Sequence, residues 1–440
     1  MTGDRPASPT GSPARSWRRR HVLGALGGAG VTALSGCSSG QERTGGGRVT
    51  VGATIPQSGL YEREGRAQQR GFELAVSHLN RGGGMVPYWS DLTGNGVRGR
   101  PVELVMGDSA GDPINARRQA AQLIAGEGAD VLAGGSSSAV ALAVQAACAE
   151  RTTPYLCGVA HRDTLTGASC SRYGFRELFN ATMSARALAA VLREDLGSDR
   201  TFAQLYADYP WGREQRARIH DAFTTRAGWQ AGATTATPPR QTDYGTVLDT
   251  VPSDRVDVLV LTHYGLDAAR ILTQARRRDL HEAVTLVVPL YSRLLARVAP
   301  DALGGVYATA GWNWQLRNDA AIAFVEAYRE RFEAVPSWAA HLAYVQTIQY
   351  AAAAERAETT ESGPVVRALE GHTYDGGGLG SVERLRACDH QAMRDVPVVR
   401  GVSAADQVGP KSVDVVDVVD REQVGYGCRS GPAAACELDR

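Results

Sequence analysis

Residues 131–144 read Val131-Leu-Ala-Gly-Gly-Ser-Ser-Ser-Ala-Val-Ala-Leu-Ala-Val144. A short apolar run, two glycines, three serines and an Ala-rich apolar run follow one another. The pattern predicts a buried strand over 129–133 and a helix over 139–150, joined by Gly134-Gly135-Ser136-Ser137-Ser138. Serine ahead of a helix accepts hydrogen bonds from its first amides, and small residues let a ligand approach the backbone. Free amides at that end favour an anion or a carbonyl oxygen. Plain helix capping accounts for the same serines without any ligand.

The pattern extends in both directions. Apolar runs rich in β-branched residues predict strands over 49–55, 102–107 and 154–158, and helical spacing marks 66–80 and 114–125. The alternation then restarts. Strands are expected over 201–206, 256–262, 285–288 and 306–310, with helices over 183–196, 213–227, 244–251 and 267–278. Two long helices, 319–332 and 338–356, follow. Apolar strands alternating with helices mean parallel sheets covered on both faces. So many units exceed one comfortable sheet and fit two doubly wound lobes. Ligands of such sheets sit at the carboxyl ends of strands where strand order reverses, so two facing lobes imply a cleft.

The chain of 440 residues carries 47 basic and 47 acidic side chains, and Lys411 is its only lysine. Zero formal charge argues against a general nucleic-acid binder. With 43% hydrophobic and 21% charged residues the chain can bury a sizeable core. No GxSxG, GxxxxGK[ST] or HExxH occurs. Gly24–Gly30 is glycine-rich but lies ahead of the folded region, and Asp375-Gly-Gly-Gly-Leu-Gly380 follows a helix and reads as a hinge or turn. No cofactor, no metal and no catalytic residue is expected.

Residues 1–36 read as an address. Arg18-Arg19-Arg20 precede an apolar Gly/Ala-rich run from Val22 to Leu34, too short for a membrane span of about 20 residues. The arginines resemble a twin-arginine export signal, and Leu34-Ser35-Gly36-Cys37 resembles the bacterial lipobox, which makes Cys37 the lipidated first residue of the mature chain. Residues 37–48 form a Gly/Ser/Thr-rich tether. Export permits disulfides among the six remaining cysteines. Six cysteines allow 15 connectivities; Cys157–Cys170 and Cys428–Cys436 are the closest pairs with turn-like sequence between them, and Cys148 equally suits a buried free thiol.

From Val49 to Val419 the chain resembles the type I periplasmic solute-binding proteins of the branched-chain amino acid and amide/urea class. Four stretches carry the resemblance: Val51-Gly-Ala-Thr-Ile-Pro-Gln-Ser-Gly-Leu-Tyr61, Asp108-Ser-Ala-Gly-Asp-Pro113, the 131–144 segment, and Arg386-Ala-Cys-Asp-His-Gln391 with a strand over 413–420. It implies two Rossmann-like lobes joined by three crossings that close over a ligand. One lobe comprises 49–178 and 312–372, the other 179–311 and 373–420, with 421–440 as a tail. Ligand-binding positions carry over to Tyr61, Ser136 and Ser137, to Val159, Ala160 and His161, and to Trp211, Tyr264 and Tyr291.

Two positions depart from the family pattern. His161 stands where the family has a small residue, and Pro289-Leu290-Tyr291 offers no acid to pair a ligand ammonium. That absence weighs against an α-amino acid and leaves an amide, a ligand in an aromatic cage or a plain carboxylate open. The resemblance implies a lipid-anchored, monomeric receptor on the outer face of the cell membrane, delivering a small polar solute to an ABC permease. A sensor of the same fold, coupled to a signalling partner, is the alternative; a secreted enzyme would need a catalytic constellation that the sequence does not offer.

The lipobox generates the first prediction. Cys37→Ser should release protein into the medium or leave the precursor unprocessed, read by fractionation and mass. Unchanged processing with membrane retention would refute lipidation. One acyl chain binds only marginally, so at least two are expected.

Overall fold

The computed structural model describes residues 47–438. Cys37, the export signal and most of the tether lie outside them. The first sheet contains β1 (Val49–Ile55), β2 (Val102–Asp108), β3 (Val131–Gly134), β4 (Tyr155–Cys157) and β5 (Gly174–Arg176). They are parallel, in the order β2-β1-β3-β4-β5. The second contains β6 (Thr201–Ala207), β7 (Gln230–Thr237), β8 (Val258–Thr262), β9 (Thr285–Leu290) and β10 (Tyr307–Thr309), again parallel. A small antiparallel sheet follows, of β11 (Thr373–Tyr374), β12 (Glu383–Leu385) and β13 (Ala392–Met393). The chain then returns to the second sheet as β14 (Val396–Gly401) and β15 (Val413–Val419), both antiparallel, completing the order β15-β14-β10-β9-β8-β6-β7. These are the two doubly wound α/β lobes expected.

Helices α1 (Glu62–Arg81), α2 (Pro113–Ala125) and α3 (Ser138–Glu150) follow strands of the first sheet. Helices α4 (Ala181–Leu196) and α5 (Pro210–Ala222) flank β6, and the helix Gly265–Arg276 follows β8. The long helices Asp319–Phe332 and Trp338–Arg356 occupy their expected spans, and the second packs along α1. Its central residues, Trp338 through Ala354, are buried all round, as befits an Ala-rich helix between neighbours. Six strands were not expected from the sequence, β5, β7 and β11 to β14: β5 is only three residues long, β11 to β13 are two or three residues each, and β7 is an exposed edge of alanine, glycine and threonine with no apolar face to reveal it.

Three stretches of chain cross between the sheets, and Arg394 holds them together. It stands on the third crossing, between β13 and β14. Its Nη1 donates to the Glu177 carbonyl and to Glu177 Oε1, both at 3.2 Å, on the first crossing. Its Nη2 donates to the Gly311 carbonyl on the second, at 2.9 Å. Tyr374 and Gln349 also donate to the Glu177 carboxylate. Glu383 Oε2 lies 3.4 Å from Arg394 Nε. Burial holds its carboxyl well above the usual range, and Glu177 faces the same guanidinium at 3.2 Å. The small sheet packs on the first sheet's side, through Trp89 donating to the Gly376 carbonyl and a bridge from Arg176 to Gln391, although residues 373–393 were expected in the second lobe.

The cysteines pair otherwise than expected: Cys170 with Cys436 and Cys388 with Cys428, with Cα separations of 5.6 and 5.9 Å. Cys157 lies inside the first sheet, and it and Cys148 are buried free thiols. Proximity in sequence did not decide, because a bridge needs Cα atoms about 4.4–6.8 Å apart with Cβ atoms facing. The bridges fasten Cys428 and Cys436 of the C-terminal segment to Cys388 and Cys170. There Tyr426 accepts from Asn180 at 2.6 Å and its ring lies 4.5 Å from the Arg386 guanidinium carbon.

Arg394→Leu should destabilise the protein by about 3–5 kcal/mol, because Glu177 would be left buried without its cation. Denaturant titration checks this, and a loss below about 1 kcal/mol would show that the crossings do not depend on Arg394.

Candidate functional site

Strand order reverses at two places. The chain leaves β1 for β2 on one side and returns to β3 on the other; β6, β7 and β8 repeat the manoeuvre in the second sheet. The loops at these two reversals face each other across the cleft. They enclose a cavity of about 60 Å³ lined by Tyr61, Ser136, Ser137, Ser138, Val159, Ala160, His161, Leu178, Tyr209, Trp211, Tyr264, Leu290 and Trp338. The cavity is small because side chains of the two lobes meet across it, Trp211 with His161, Tyr264 with Glu64 and Arg218 with Asp163. Tyr61 and Tyr264 also line the outer cleft, of about 810 Å³, and so stand between it and the cavity.

The serine loop is braced from three sides. Gln68 donates to the Gly135 carbonyl (2.8 Å), Tyr155 to the Gly134 carbonyl (2.9 Å), and Gly134 N–H to Gln346 Oε1 (2.9 Å). Gly134 and Gly135 take φ of 98° and 124°, where a side chain would be strained. Ser137 caps α3, its Oγ accepting from Val140 N–H at 3.3 Å; its own hydroxyl proton stays free to donate. Ser138 Oγ accepts from the amides of His161 and Arg162, tying the next loop to this one. The Ser136 hydroxyl is buried and has no partner.

His161 is held by the opposite lobe. Trp211 Nε1 donates to its Nδ1 at 3.2 Å, which places the ring proton on Nε2, a buried atom with no partner. Burial, reinforced by Arg176, lowers the His161 pKa to about 3. It offers a neutral donor rather than a charge. Other contacts across the cleft join Glu214 to Arg162, Asp163 and Thr164, and Arg218 to Asp163 at 2.6 Å.

Tyr61 faces Tyr264 with ring centroids 6.4 Å apart, and Trp211 meets Tyr264 edge-on at 6.3 Å. Tyr264 donates to Glu64 Oε1 at 2.5 Å. Glu64 as a whole is partly exposed, yet its Oε2 is sealed and unpartnered. Burial raises the Glu64 pKa to about 7, against the opposing hydrogen bond from Tyr264. Desolvation, with the neighbouring Glu64, raises that of Tyr61 to about 12.

Eight of the nine expected positions thus meet at one cavity. The ninth, Tyr291, does not: its hydroxyl pairs with Ser412 Oγ at 2.9 Å and its carbonyl accepts from Trp338 Nε1. It lines a neighbouring crevice with Trp312 and Trp314 instead. Sequence reasoning missed Ser138, Leu178, Tyr209, Leu290 and Trp338. Tyr209 stands two residues before Trp211, in Tyr209-Pro-Trp-Gly212, and could have been found; Trp338 opens a helix 127 residues beyond Trp211 in the chain and carries no local signal. Glu64 reads in sequence as one acid of a solvated first helical turn. Among the described residues Asp279, His281 and Glu282 come close enough to share a metal, but they are not among the residues lining the cavity.

The model of the periplasmic binding protein family matches residues 48–406, and the chain belongs to that family of extracytoplasmic receptors, which bind solutes and are not enzymes. It is similar to the Leu/Ile/Val-binding protein homolog 7 of Brucella abortus, 24% identical over 66% of this chain and 72% of the relative. Among solved structures it superposes on a periplasmic binding protein of Burkholderia mallei with a TM-score of 0.77, at 21% identity over 89% of this chain and all of that one. The branched-chain amino acid transporter substrate binding protein LivJ of Streptococcus pneumoniae, solved with isoleucine, gives a TM-score of 0.71 at 20% identity, covering 84% of this chain and 99% of that one. Among the described residues no helix is long and apolar enough to cross a membrane.

The Glu64 environment makes a pH prediction. A carboxyl raised from 4.5 to about 7 on folding binds its proton more tightly in the native state. Its stabilising contribution is therefore complete below the unfolded value and is lost as pH rises through the folded one. Relative to Glu64→Gln, the wild type should lose on the order of 2 kcal/mol between pH 5 and pH 8, allowing for residual solvent screening. Parallel stability curves for the two proteins would show that Glu64 is solvated.

Proposed function

We propose that the protein is a lipid-anchored receptor that captures a small polar solute between its lobes and presents it to an ABC-transporter permease. The observation that carries this is the pair of buried, unpartnered groups at the closed cavity, Ser136 Oγ and His161 Nε2. A buried polar atom without a partner costs about 1–3 kcal/mol, so a cavity presenting two is built to be completed by something else. Both are donors to an oxygen, and the first amides of α3 stand beside them. A ligand carboxylate or amide carbonyl fits this end, and the aromatic rings cover the remainder of the solute. The Brucella relative's name and the isoleucine-bound neighbour support starting the search among small aliphatic amino acids.

Calorimetry and thermal shift against amino acids, amides, urea and small carboxylates test the proposal. Ser136→Ala should keep the unliganded melting temperature, because no protein group uses its hydroxyl, while ligand affinity falls by about 1–2 kcal/mol. Tyr264→Ala should cost more, since it removes apolar cover as well. Ser137→Ala should lower unliganded stability too, by the roughly 1 kcal/mol of a lost helix cap. Wild-type affinity in both Ser136→Ala and Tyr264→Ala would move the site elsewhere.

A further inference from the structure

The outer cleft receives arginines from both lobes. Arg63, Arg66 and Arg70 of α1 line it on one side, and Arg293 and Arg297 of the short helix Arg293–Val298 on the other. Within each helix these residues recur at helical spacing, so each set shares one face. Two acids, Glu62 and Glu64, line the same cleft, and neither offsets the excess. Glu62 is taken by Arg66. Glu64 accepts the Tyr264 hydroxyl, and burial raises its pKa to about 7.

Among the described residues Arg63, Arg70, Arg293 and Arg297 form no ion pair. The groups that hold two of them are neutral. Arg293 donates to the Val335 carbonyl, and the Arg70 guanidinium carbon lies 5.3 Å from the centre of the Phe332 ring. Arg63 and Arg297 have neither a hydrogen-bond partner nor an acid. Arginines elsewhere on the surface do find acids, as Arg117 does in Glu150, Arg213 in Asp208 and Arg278 in Asp249. Like charges four residues apart destabilise a helix, and taking Arg293 out of water adds to that cost. Burial, reinforced by Arg297, accordingly lowers the Arg293 pKa against the opposing influence of Tyr291 and Tyr328. An anion between the two helices would relieve both. At about 810 Å³ the cleft has the size of a small-molecule pocket, about 300–1,000 Å³.

We propose that the outer cleft is a second ligand site, separate from the inner cavity, for a small multivalent anion such as a polycarboxylate or a polyphosphate. One anionic group lies against Arg63 and Arg70, another against Arg293 and Arg297. Guanidinium forks match carboxylate and phosphate oxygens alike. An anion with two charged groups engages both lobes, whereas a monovalent one meets a single pair. The site goes beyond the receptor reading and does not depend on it. The cavity and the cleft share Tyr61, Tyr264 and Trp338, but no arginine lines the cavity.

Calorimetry on the mature chain tests this with citrate, tripolyphosphate and acetate, at about 0.15 M salt, where a diffuse field is screened within roughly 8 Å. Wild type should bind citrate and tripolyphosphate one to one, and acetate about tenfold or more weakly. Arg63→Gln and Arg297→Gln remove charges that no protein group uses, so the unliganded melting temperature should hold or rise. Each should weaken both multivalent anions several-fold, and together by about tenfold or more. Two controls should leave both anions unchanged. Arg277→Gln with Arg367→Gln removes as much charge from exposed positions outside the cleft. Ser136→Ala alters only the cavity. Equal loss in the arginine control would reduce the effect to a general field, and equal loss in Ser136→Ala would put the anion in the inner cavity; either overturns the proposal. So would a wild type that binds neither multivalent anion or binds acetate as tightly, or dependence on the arginines of one lobe alone. None of these results bears on solute capture in the inner cavity, which Ser136→Ala and Tyr264→Ala test separately.

Discussion

One guanidinium joins the three places where the chain passes between its two sheets. Arg394 reaches the Glu177 carbonyl and carboxylate on one crossing and the Gly311 carbonyl on another, while standing on the third. A fork of fixed, planar donors can satisfy acceptors from several strands at once, which a lysine could not. The charge balance is equally constrained. Glu177 and Glu383 both face the Arg394 guanidinium, and all three side chains are buried. Such a cluster adds little net stability over an apolar one of the same shape, but removing one member is costly. Its consequence is positional: the crossings emerge from one point, so the lobes can meet face to face.

Everything at the cleft follows from that arrangement. Each sheet reverses its strand order once, and the loops at each reversal are the places where backbone ends leave room for a ligand. Bringing the two reversals together sets the donors of the serine loop opposite the rings of Tyr209, Trp211 and Tyr264. Polar groups that would be hydrated on an isolated lobe become buried when the lobes close. Some find partners across the gap, as His161 does in Trp211 and Glu214 does in the loop at Arg162. Ser136 Oγ, His161 Nε2 and Glu64 Oε2 do not. The closed state thus holds satisfied contacts that close it and unsatisfied atoms that would be completed by a guest.

The disulfides tie the last described residues to the first lobe, while Val424 and Gly425 of the same segment accept from Arg186 of α4 in the second. Cys170 and Cys436 are 266 residues apart in sequence, and joining them removes a large loop entropy from the unfolded chain. The bridge brings the last described residues against the loop after β4, where Gly167 leaves room for the Pro432 carbonyl. The two buried free thiols, by contrast, belong to the first lobe's core: Cys148 and Cys157 pack with Val140, Val144 and Tyr155.

The sequence by itself determined the alternation of strands and helices, because burial on both faces demands apolar strands and burial on one face demands helical spacing. It also determined the loop chemistry of Gly134–Ser138, since positive φ and helix capping are local requirements met by local residues. Eight of the candidate ligand positions, carried over from the family resemblance, come together at the cavity because they lie on loops that follow strands. Only the tertiary structure decided what distant segments do to one another. The cysteine pairing, the turning of Tyr291 towards Ser412, the entry of Trp338 and the burial of Glu64 all depend on contacts between segments far apart in the chain. Glu64 is the clearest case: in sequence it is one charge in a polar helical turn. Its carboxylate is sealed only because Gly65 seats that turn against Pro56 and the second lobe lays Tyr264 over it.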